Sequence, residues 1–469
     1  MIATGSSQAR HRSSSLWLDR FDGSLTPRPP LAGDLQCDVA IVGAGFTGLW
    51  TAYHLATLQP GLRIVVLERE IAGHGASGRN GGWAIGGLSG TPAAYGCAPG
   101  DERVARAVRA THQAVDEIGA VAAREGIDCD FVKAGALTLA TSAPQWRRLQ
   151  ARDGDATAAA DRGDSDGHLL SATEAGELVA GVHGLHGARF TTHAARIDPA
   201  RLVRGLAEAC ERHGVTIHEQ TAVTTIEPGR VSTATGVVAA DAVIRATESY
   251  TTQLRGERLR YLPLYSLMIA TAPLEASVWA QLGWRDGLLV DDRHHLFFYA
   301  QRTSDGRIAI GGRGAPYRLA HPIDPANERN EGVRARLVAT IARTFPAAAG
   351  AEITHHWGGP LAAPRDWSMS VNYDRASGMG SAGGYTGHGV AAAQIAGATL
   401  ADLVLGRDSD LVTLPWVGHR SRRWEPEPLR FLASRAIVGT LGAADRHEDA
   451  TGRADLRVRL LRAFLPPAH

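Results

Sequence analysis

Three glycines near the start of the chain have the spacing of a phosphate-binding turn. Gly43, Gly45 and Gly48 form a GxGxxG motif, and Glu68 follows at the end of the next apolar run. In such a motif the glycines permit a tight turn, a close approach of a pyrophosphate to the backbone and close packing of a helix on a strand. A carboxylate in the position of Glu68 accepts hydrogen bonds from ribose hydroxyls. These residues predict that the chain binds a dinucleotide.

The elements around this motif are those of a βαβ unit. Residues 38–42 form a short apolar run typical of a buried parallel strand, and residues 63–67 form a second one. Between them, the side chains of Leu49, Tyr53 and Leu58 repeat with helical spacing. A bare GxGxxG could be an ordinary strand-to-helix turn. Here strand, glycines, helix, strand and acid occur in register, which favours dinucleotide binding.

Two later glycine-rich segments favour a flavin over a nicotinamide. Residues 72–83 place polar residues among glycines directly after the second strand, so that the backbone can run along a flavin dinucleotide. Residues 379–382 predict a strand that leads through a glycine turn at 384–389 into a helix ending before Gly406. A free helix N-terminus there suits the negative charge of a reduced flavin. The alternative for this last segment is an ordinary packing helix with a loose cap.

Other segments predict elements of a second unit. Helical spacing extends over 101–126, and residues 131–140 and 288–302 are each expected to form one strand. Ser171 begins a capping box, and Asp198 precedes a proline at the first position of a further helix. Residues 155–167 are polar and are expected to form a surface excursion.

Four motifs, GAGFTGL, GASGRNGG, GYTGHGV and RRWEPEPLRFL, occur in this order along most of the chain. Together they resemble the D-amino-acid-oxidase-like family of FAD-dependent oxidoreductases, and within it the γ-glutamylputrescine oxidoreductase and glycine/sarcosine oxidase branch. The resemblance implies an α/β + α+β fold, in which a discontinuous Rossmann-like FAD-binding domain carries an inserted antiparallel-sheet substrate domain. The implied divisions are an N-terminal tail (1–33), the FAD-binding domain (34–95, 185–255 and 352–406), the substrate domain (96–184 and 256–351) and a C-terminal arm (407–469).

The resemblance also implies which residues contact the FAD. They are Gly43, Gly45, Phe46, Thr47, Gly48, Glu68, Arg69, Ser77, Gly78, Arg79, Asn80, Gly81, Gly82, Val223, Ala246, Thr247, Gly384, Tyr385, Thr386, Gly387, His388, Gly389 and Val390. Branches with covalent FAD attach it through a late cysteine or through a histidine in the loop after the second strand. Here no cysteine follows Cys210 and the loop position carries Ser77, although His74 lies nearby, so non-covalent FAD is expected.

The same resemblance places the chemistry in residues 262–313. It implies that Arg302 binds a substrate carboxylate, since a planar guanidinium gives a bidentate clamp. Tyr265, Tyr299 and Trp357 are candidates for an aromatic cage, although such residues are more often part of the core, and His388 lies beside the flavin ring. The catalytic candidates are therefore Arg302, Tyr299, His388 and Tyr265. Strand alternation puts residues 299 and 302 on opposite faces, which leaves a salt bridge at the rim as an equal interpretation of Arg302.

The expected reaction is FAD-dependent oxidation of the C–N bond of an amine or amino acid to an imine, which water converts to an aldehyde or keto acid. Electrons would pass to O2 and give H2O2. Some relatives use a lysine over the flavin for oxygen, whereas Lys133 is the single lysine of this chain. A dehydrogenase with another acceptor, an NAD(P)H-driven flavin monooxygenase or halogenase, and a non-catalytic FAD-binding protein therefore stay open as alternatives.

Composition limits the other partners. The 49 basic and 48 acidic residues give a net charge of +1, which argues against a nucleic-acid partner. No apolar run approaches the roughly 20 residues of a membrane span, and four scattered cysteines fit a reduced compartment. We therefore expect a cytoplasmic protein. The pairs at 294–295 and 355–356 are the nearest approach to a metal motif, but no carboxylate completes a set, and no metal is expected. The oligomeric state stays open.

Overall fold

The structure is a computed structural model that describes residues 3–153, 167–314, 317–319 and 323–461. Its strands form two eight-stranded sheets and one two-stranded sheet. The strands are β1 (Leu35–Val42), β2 (Ile64–Leu67), β3 (Trp83–Ile85), β4 (Ala136–Ala140), β5 (His168–Ser171), β6 (Gly187–Thr191), β7 (Ala194–Arg196), β8 (Thr216–His218), β9 (Val223–Glu227), β10 (Arg230–Thr233), β11 (Val237–Arg245), β12 (Leu262–Thr271), β13 (Leu289–Asp292), β14 (Phe298–Arg302), β15 (Ile308–Gly312), β16 (Ile353–Ala363), β17 (Ser370–Asp374) and β18 (Met379–Gly383).

The described residues also form twelve α-helices. They are α1 (Ala3–Arg12), α2 (Leu16–Asp19), α3 (Phe46–Leu58), α4 (Glu102–Glu125), α5 (Ala143–Asp153), α6 (Ala172–Gly176), α7 (Pro199–Arg212), α8 (Ala276–Leu282), α9 (Glu331–Thr344), α10 (Gly389–Leu405), α11 (Leu429–Thr451) and α12 (Leu456–Leu461). The capping box at Ser171 and the Asp198 cap of α7 are confirmed. Residues 155–166 of the expected surface excursion lie outside the described residues.

The first sheet, which we call the flavin sheet, contains the predicted βαβ unit. Its central strands run parallel in the order β18-β11-β1-β2-β8, and β1, α3 and β2 follow one another along the chain. Strands β1 and β2 are apolar runs because both faces of this sheet are buried. One face packs against helices, and the other packs in an apolar cluster with Leu31 and Val231 of β10. A large apolar core that includes Ile41, Trp50 and Val66 packs α3, α4, α7 and α10 against this sheet. The Rossmann-like part of the predicted fold class is therefore confirmed.

The second sheet, which we call the substrate sheet, has the order β16-β12-β15-β14-β13-β4-β6-β5. All of its pairs are antiparallel except β13 with β4. Residues 288–302, predicted as one strand, form β13 and β14 with a turn at 293–297 between them, so this prediction is wrong. The turn carries Leu296 and Phe297, and such apolar side chains in a turn look like strand residues when only the sequence is read. Residues 131–140 form a strand only from Ala136 onward.

Three elements lie elsewhere than the predicted division places them. Strands β16 and β6 were assigned to the FAD-binding domain, but both pair within the substrate sheet. Helix α4 was assigned to the substrate domain, but its buried side chains join the core of the flavin sheet. Hydrophobic periodicity predicts that a helix or strand forms, but the element that it pairs or packs with comes from a distant part of the chain. The pattern therefore does not show to which sheet an element belongs. The remaining boundaries stay a prediction.

The N-terminal segment, predicted as a tail (1–33), packs against the rest of the molecule from Leu16 onward. Its helix α2 buries Leu16, Trp17 and Leu18, which pack with Trp357 of β16 in a separate apolar cluster. The carboxylate of Glu219, which is fully buried, accepts hydrogen bonds from Arg28 and fixes the following stretch of this segment. The sequence before Trp17 is rich in serine and arginine, and the apolar stretch around Trp17 is short. The sequence therefore does not show which residues this stretch packs against.

The C-terminal arm packs against the substrate sheet. The carboxylate of Asp445 in α11 accepts hydrogen bonds from the backbone N–H groups of His295 and Leu296, at 2.8 and 2.9 Å. Arg148 of α5 forms an ion pair with Glu448 at 2.7 Å. The arm therefore anchors the turn between β13 and β14. None of the described helices is both long enough and apolar enough to cross a membrane.

Candidate active site

The carboxyl ends of the parallel strands form a cradle lined by backbone. Gly43 follows β1 with φ +106°, and a Cβ there would lie 2.6 Å from the carbonyl oxygen of Ala246, which follows β11. Glu68 follows β2, and its carboxylate accepts a hydrogen bond from the N–H of Ala44 at 2.9 Å. Ligands of open α/β sheets bind at this edge. The predicted residues Gly43, Glu68, Ala246 and Thr247 are thus brought together.

The N-terminus of α3 opens into this cradle. Gly45 is the cap residue in an extended conformation, and the first helical N–H, that of Phe46, donates to the hydroxyl of Ser77 at 2.8 Å. A Cβ on Gly48 would lie 1.9 Å from the carbonyl oxygen of Gly43, so only glycine allows the helix this close to the turn. Free N–H groups and the helix dipole make this a site for phosphate.

The loop of residues 72–83 closes on itself through one side chain. The Asn80 amide donates to the carbonyl of Ser77 at 2.9 Å, and its oxygen accepts from the N–H of Gly82 at 2.8 Å. Distant residues fix the backbone carbonyls of the loop: Ser15 Oγ donates to Gly78 at 2.9 Å, and Trp17 Nε1 donates to Asn80 at 2.8 Å. The N-terminal segment therefore positions the loop, a role that the sequence did not reveal.

Arg79 ties the same loop to the substrate sheet. Its guanidinium is buried and forms an ion pair with Glu328 at 2.6 Å, and its backbone carbonyl accepts from Trp357 Nε1 at 3.0 Å. Its second nitrogen lies 3.0 Å from His74 Nε2. Burial, and then the Arg79 charge, lowers the pKa of His74 to about 2. Arg79 thus acts through protein contacts that join the two sheets.

The GYTGHG turn lies at the end of β18. Gly384, Thr386 and Gly387 all have positive φ, at +81°, +51° and +120°. The hydroxyl of Tyr385 lies 2.7 Å from that of Thr47 in α3, so the turn is joined to the phosphate-binding helix. Helix α10 begins at Gly389 with His388 at its cap. The predicted cluster of turn residues is brought to the cradle as a unit.

Two predicted cofactor residues lie at the margin of the cradle. Arg69 is exposed, lies 4.9 Å from the ring centroid of Tyr250 and donates to the side chain of Gln253 at 3.1 Å. Val223 is the first residue of β9, a strand that pairs with β10 at the edge of the flavin sheet. Their contact with FAD stays a prediction.

Two of the four catalytic candidates are not brought to the cradle. The guanidinium carbon of Arg302 lies 4.4 Å from the ring centroid of Trp279, on the face of β14 that packs Phe298 and Ala300 into the helix-covered core. The hydroxyl of Tyr265 exchanges hydrogen bonds with the backbone of Asp324. The role of Arg302 as carboxylate clamp is corrected for the reason that alternation gives: it points away from the face of Tyr299.

The other two candidates face the loop of residues 72–83, which we call the flavin loop. The ring of Tyr299 lies against Gly81, where a Cβ would be 2.5 Å from Tyr299 Cε2, and its centroid is 6.2 Å from that of Trp83. The hydroxyl of Tyr299 lies 2.7 Å from Ser266 Oγ. A Cβ on Gly87, just beyond β3, would lie 3.7 Å from Nε2 of His388. Tyr299 and His388 therefore belong to one site.

The sequence missed an arginine in that site. Tyr299 pairs with Gly311 of β15, and Arg313 stands two positions farther, on the same face. The Arg313 guanidinium carbon lies 4.4 Å from the ring centroid of Phe297. Burial lowers the pKa of Arg313 to about 10, and burial followed by the charge of Arg313 lowers the pKa of His388 to about 4. At neutral pH the site thus holds a charged guanidinium beside a neutral imidazole.

An aspartate was also missed. Asp291 of β13 pairs with Tyr299 of β14 and so lies on the same face of the sheet. Burial raises the pKa of Asp291 to about 7. Only the pairing of β13 with β14 shows that Asp291 lies opposite Tyr299. The sequence prediction treated these two strands as one and therefore missed Asp291. Among the described residues, no group of three metal-ligating side chains is arranged to hold a metal ion.

The residues of the cradle fit an FAD molecule. Gly43 and Gly48 leave no room for a side chain where a phosphate must approach, and Gly387 has open space beside it. The N-terminus of α3 supplies N–H groups for phosphate, and Glu68 can bind a ribose. Tyr299 and Arg313 face this cradle from the substrate sheet, and His388 faces it from the GYTGHG turn. A flavin ring and a small substrate can therefore meet between the two sheets.

Comparisons with known proteins agree with this geometry. The probable oxidoreductase OrdL of Haemophilus influenzae is 30% identical over 397 residues, which cover 82% of this chain and 86% of that protein. The gamma-glutamylputrescine oxidoreductase of Escherichia coli is 30% identical over 390 residues, which cover 81% and 86%. In fold, the chain is similar to glycine oxidase from Geobacillus kaustophilus, with a TM-score of 0.63, 21% identity and coverage of 80% of this chain and 96% of that one.

A family model described as DAO, FAD dependent oxidoreductase, matches residues 38–403. This span includes the GxGxxG turn, the loop of residues 72–83, both eight-stranded sheets and the GYTGHG turn. The cradle and its relatives thus lead to the same conclusion: the chain belongs to the DAO family of FAD-dependent oxidoreductases and is an enzyme with FAD as its cofactor.

Proposed function

We propose that this enzyme oxidises the C–N bond of a primary or secondary amine that carries a carboxylate, and so forms an imine. The observation that carries the proposal concerns the face of the substrate sheet that is turned toward the flavin loop. Tyr299, Arg313 and Asp291 all lie on this face. Glycine oxidase, L-proline dehydrogenase and iminodiacetate oxidase are named among the proteins of similar fold. Their substrates share an amine and a carboxylate, which matches one guanidinium and one acid in this site.

Arg313 is the group that would bind the substrate carboxylate. No carboxylate of the described residues forms a salt bridge with it, and its guanidinium is held against Phe297. Arg313 is half-buried, and a guanidinium gives a bidentate, charge-assisted pair with a carboxylate. Tyr299 and Trp83 form an aromatic wall beside it and exclude water from the reacting carbon.

Bound FAD supplies the two-electron acceptor for the substrate hydrogen. The protein fixes the substrate between the loop of residues 72–83 and β14. His388 is neutral and lies at the N-terminus of α10, so it can donate or accept one hydrogen bond without adding charge. Water then hydrolyses the released imine to an aldehyde or a keto acid.

The FAD is proposed to be non-covalent. All four cysteines are buried, and Cys37 and Cys210 belong to packed apolar clusters. His74, the histidine nearest to the relevant loop position, has its ring nitrogen 3.0 Å from the Arg79 guanidinium. Unfolding in acid should therefore release all of the yellow chromophore into the supernatant.

Oxygen is proposed as the electron acceptor, with hydrogen peroxide as the product. The single lysine does not supply the cation for this step, because Lys133 forms an ion pair with Asp116 of α4. With FAD bound, the charged guanidinium of Arg313 would be the group that stabilises negative charge during this step.

The experiment is an anaerobic absorbance titration of the oxidised holoenzyme with glycine, L-proline, iminodiacetate and γ-glutamylputrescine. Bleaching of the flavin by one of them, followed by oxygen uptake and peroxide formation, is the expected result. Bleaching without oxygen uptake would show a dehydrogenase. Bleaching only by NADPH would contradict amine oxidation and favour a monooxygenase.

A further inference from the structure

A buried acid faces the proposed substrate position from the centre of the substrate sheet. Asp291 lies directly opposite Tyr299 on β14 and beside Thr138 on β4. Residues opposite each other in paired strands place their side chains on the same face. Tyr299 in turn touches the flavin loop at Gly81. The carboxylate therefore stands one strand away from the aromatic wall of the site.

Two polar atoms near this wall lack partners within the described part of the chain. Asp291 Oδ1 and Trp83 Nε1 are each buried without a hydrogen bond. Trp83 packs with Leu289, the residue two positions before Asp291, and its ring meets that of Tyr299. Buried polar groups in proteins are nearly always hydrogen-bonded. One orphan acceptor and one orphan donor on the same wall indicate a ligand that has both a donor and an acceptor.

The titratable groups around Asp291 come from four parts of the chain. Asp292 is its neighbour on β13, Arg293 begins the following turn, Arg152 lies in the last turn of α5, and Tyr299 faces it from β14. Burial is the largest cause of the raised pKa of Asp291 and outweighs a side-chain hydrogen bond with Thr138 and the charges of the nearby arginines, giving a value of about 7. At neutral pH the group thus changes readily between acid and carboxylate, as a proton acceptor must.

We propose that Asp291 binds the substrate ammonium group and removes one of its protons before the C–H bond is broken. An N–H bond of the ammonium breaks, its electron pair stays on nitrogen, and the proton forms an O–H bond with Asp291. No electrons are transferred in this step, and the product is the neutral amine that loses hydrogen to FAD. The assignment rests on the proposed amine oxidation. Asp291 thereby sets the pH range in which the enzyme accepts the abundant, protonated form of its substrate.

The test compares Asp291→Asn with the wild-type holoenzyme in anaerobic stopped-flow reduction from pH 6 to pH 10. The substrate is whichever of glycine, L-proline, iminodiacetate and γ-glutamylputrescine reduces the wild-type flavin. The wild-type rate constant should rise through about pH 7 and then level off. The variant should be slower by about 100-fold at pH 7. Its rate should rise about tenfold per pH unit, because the fraction of free amine in solution rises by that factor below the amine pKa.

Two further variants keep the test decisive. Asp291→Glu retains a carboxylate and should keep a levelling pH profile even if the rate falls. Asp286→Asn changes an aspartate whose side chain is 61% exposed just before β13, and should leave the profile unchanged. Spectra of bound FAD and a melting curve establish that each variant is folded.

Specific outcomes would overturn the assignment. An Asp291→Asn profile parallel to that of the wild type, at any rate, would show that the acid plays no part in deprotonation. The same conclusion follows if Asp291→Glu loses the levelling profile as Asp291→Asn does. If none of the four compounds reduces the wild-type flavin, amine oxidation itself fails and the role of Asp291 falls with it.

Discussion

The flavin sheet and the substrate sheet contribute different kinds of groups to the site, backbone atoms in the first case and side chains in the second. At the ends of β1, β2, β11 and β18 the flavin sheet offers backbone atoms and glycines, each adjacent in sequence to the strand that positions it. The substrate sheet offers side chains from the middle of β13 and β14 and from just past β15, and strand pairing decides where each one points. A site built from backbone atoms can therefore be recognised in a local motif, whereas a site built from side chains depends on strand register.

The largest expected effect is in the flavin sheet. Gly48→Ala puts a methyl group 1.9 Å from the carbonyl oxygen of Gly43, so the turn or the helix must move. We expect loss of bound FAD and a destabilisation of about 3 kcal/mol, measured by flavin absorbance after gel filtration and by thermal unfolding. Gly439→Ala is the control, because a Cβ there meets nothing within 4 Å in helix α11. If Gly48→Ala keeps its FAD, the backbone cradle is more tolerant than these distances allow.

The next effect separates the two faces of the substrate sheet. Arg313→Ala should lower kcat/KM for a carboxylate-bearing amine by about 100-fold, since a buried charge pair is lost. Arg302→Ala removes a cation–π contact with Trp279 on the opposite face and should change kcat/KM by less than about twofold. Steady-state kinetics on both variants with one substrate decides between them. A larger loss for Arg302→Ala would restore the clamp implied by the sequence.

The third prediction concerns stability and pH at Asp291. Because burial raises its folded pKa to about 7, above the value of about 3.9 in an unfolded chain, the wild type loses stability as pH rises between these two values. Asp291→Asn removes the ionisable group. The variant should therefore melt higher than the wild type at pH 8, and the gap should shrink toward pH 4. Calorimetry across this range measures it, and a gap independent of pH would contradict the burial of an ionising carboxyl.

The smallest effect tests the N-terminal segment, which joins both sheets. Trp17→Phe keeps an aromatic ring but removes the hydrogen bond of 2.8 Å to the carbonyl of Asn80. We expect FAD to dissociate about fivefold more readily, the equivalent of about 1 kcal/mol. Trp284→Phe is the matched control, because it loses a hydrogen bond of 2.8 Å to Leu288 in the substrate-sheet core. Equal changes in FAD affinity would show that Trp17 acts through general stability alone.

Sequence reading succeeded where one segment carried both an element and its function. The βαβ unit, the GYTGHG turn and the caps at Ser171 and Asp198 are in this class. It failed at the turn of residues 293–297, whose apolar side chains resemble a strand, and at the N-terminal segment around Trp17. Both depend on contacts with distant residues, such as Asp445 for the turn and Asn80 for Trp17.

Local sequence was sufficient to predict the cofactor half of this protein. A glycine that must have positive φ, or must let a helix approach a turn, is fixed by local sterics, so GxGxxG and the later glycine turns could be read directly. The tertiary structure decided which arginine serves the substrate. Arg302 is the last residue of β14, and Arg313 follows the end of β15 in the same hairpin. Only the pairing of Tyr299 with Gly311 shows that Arg313 shares the face of Tyr299. Side chains alternate along a strand, so a face is known only once the register with its partner strand is known.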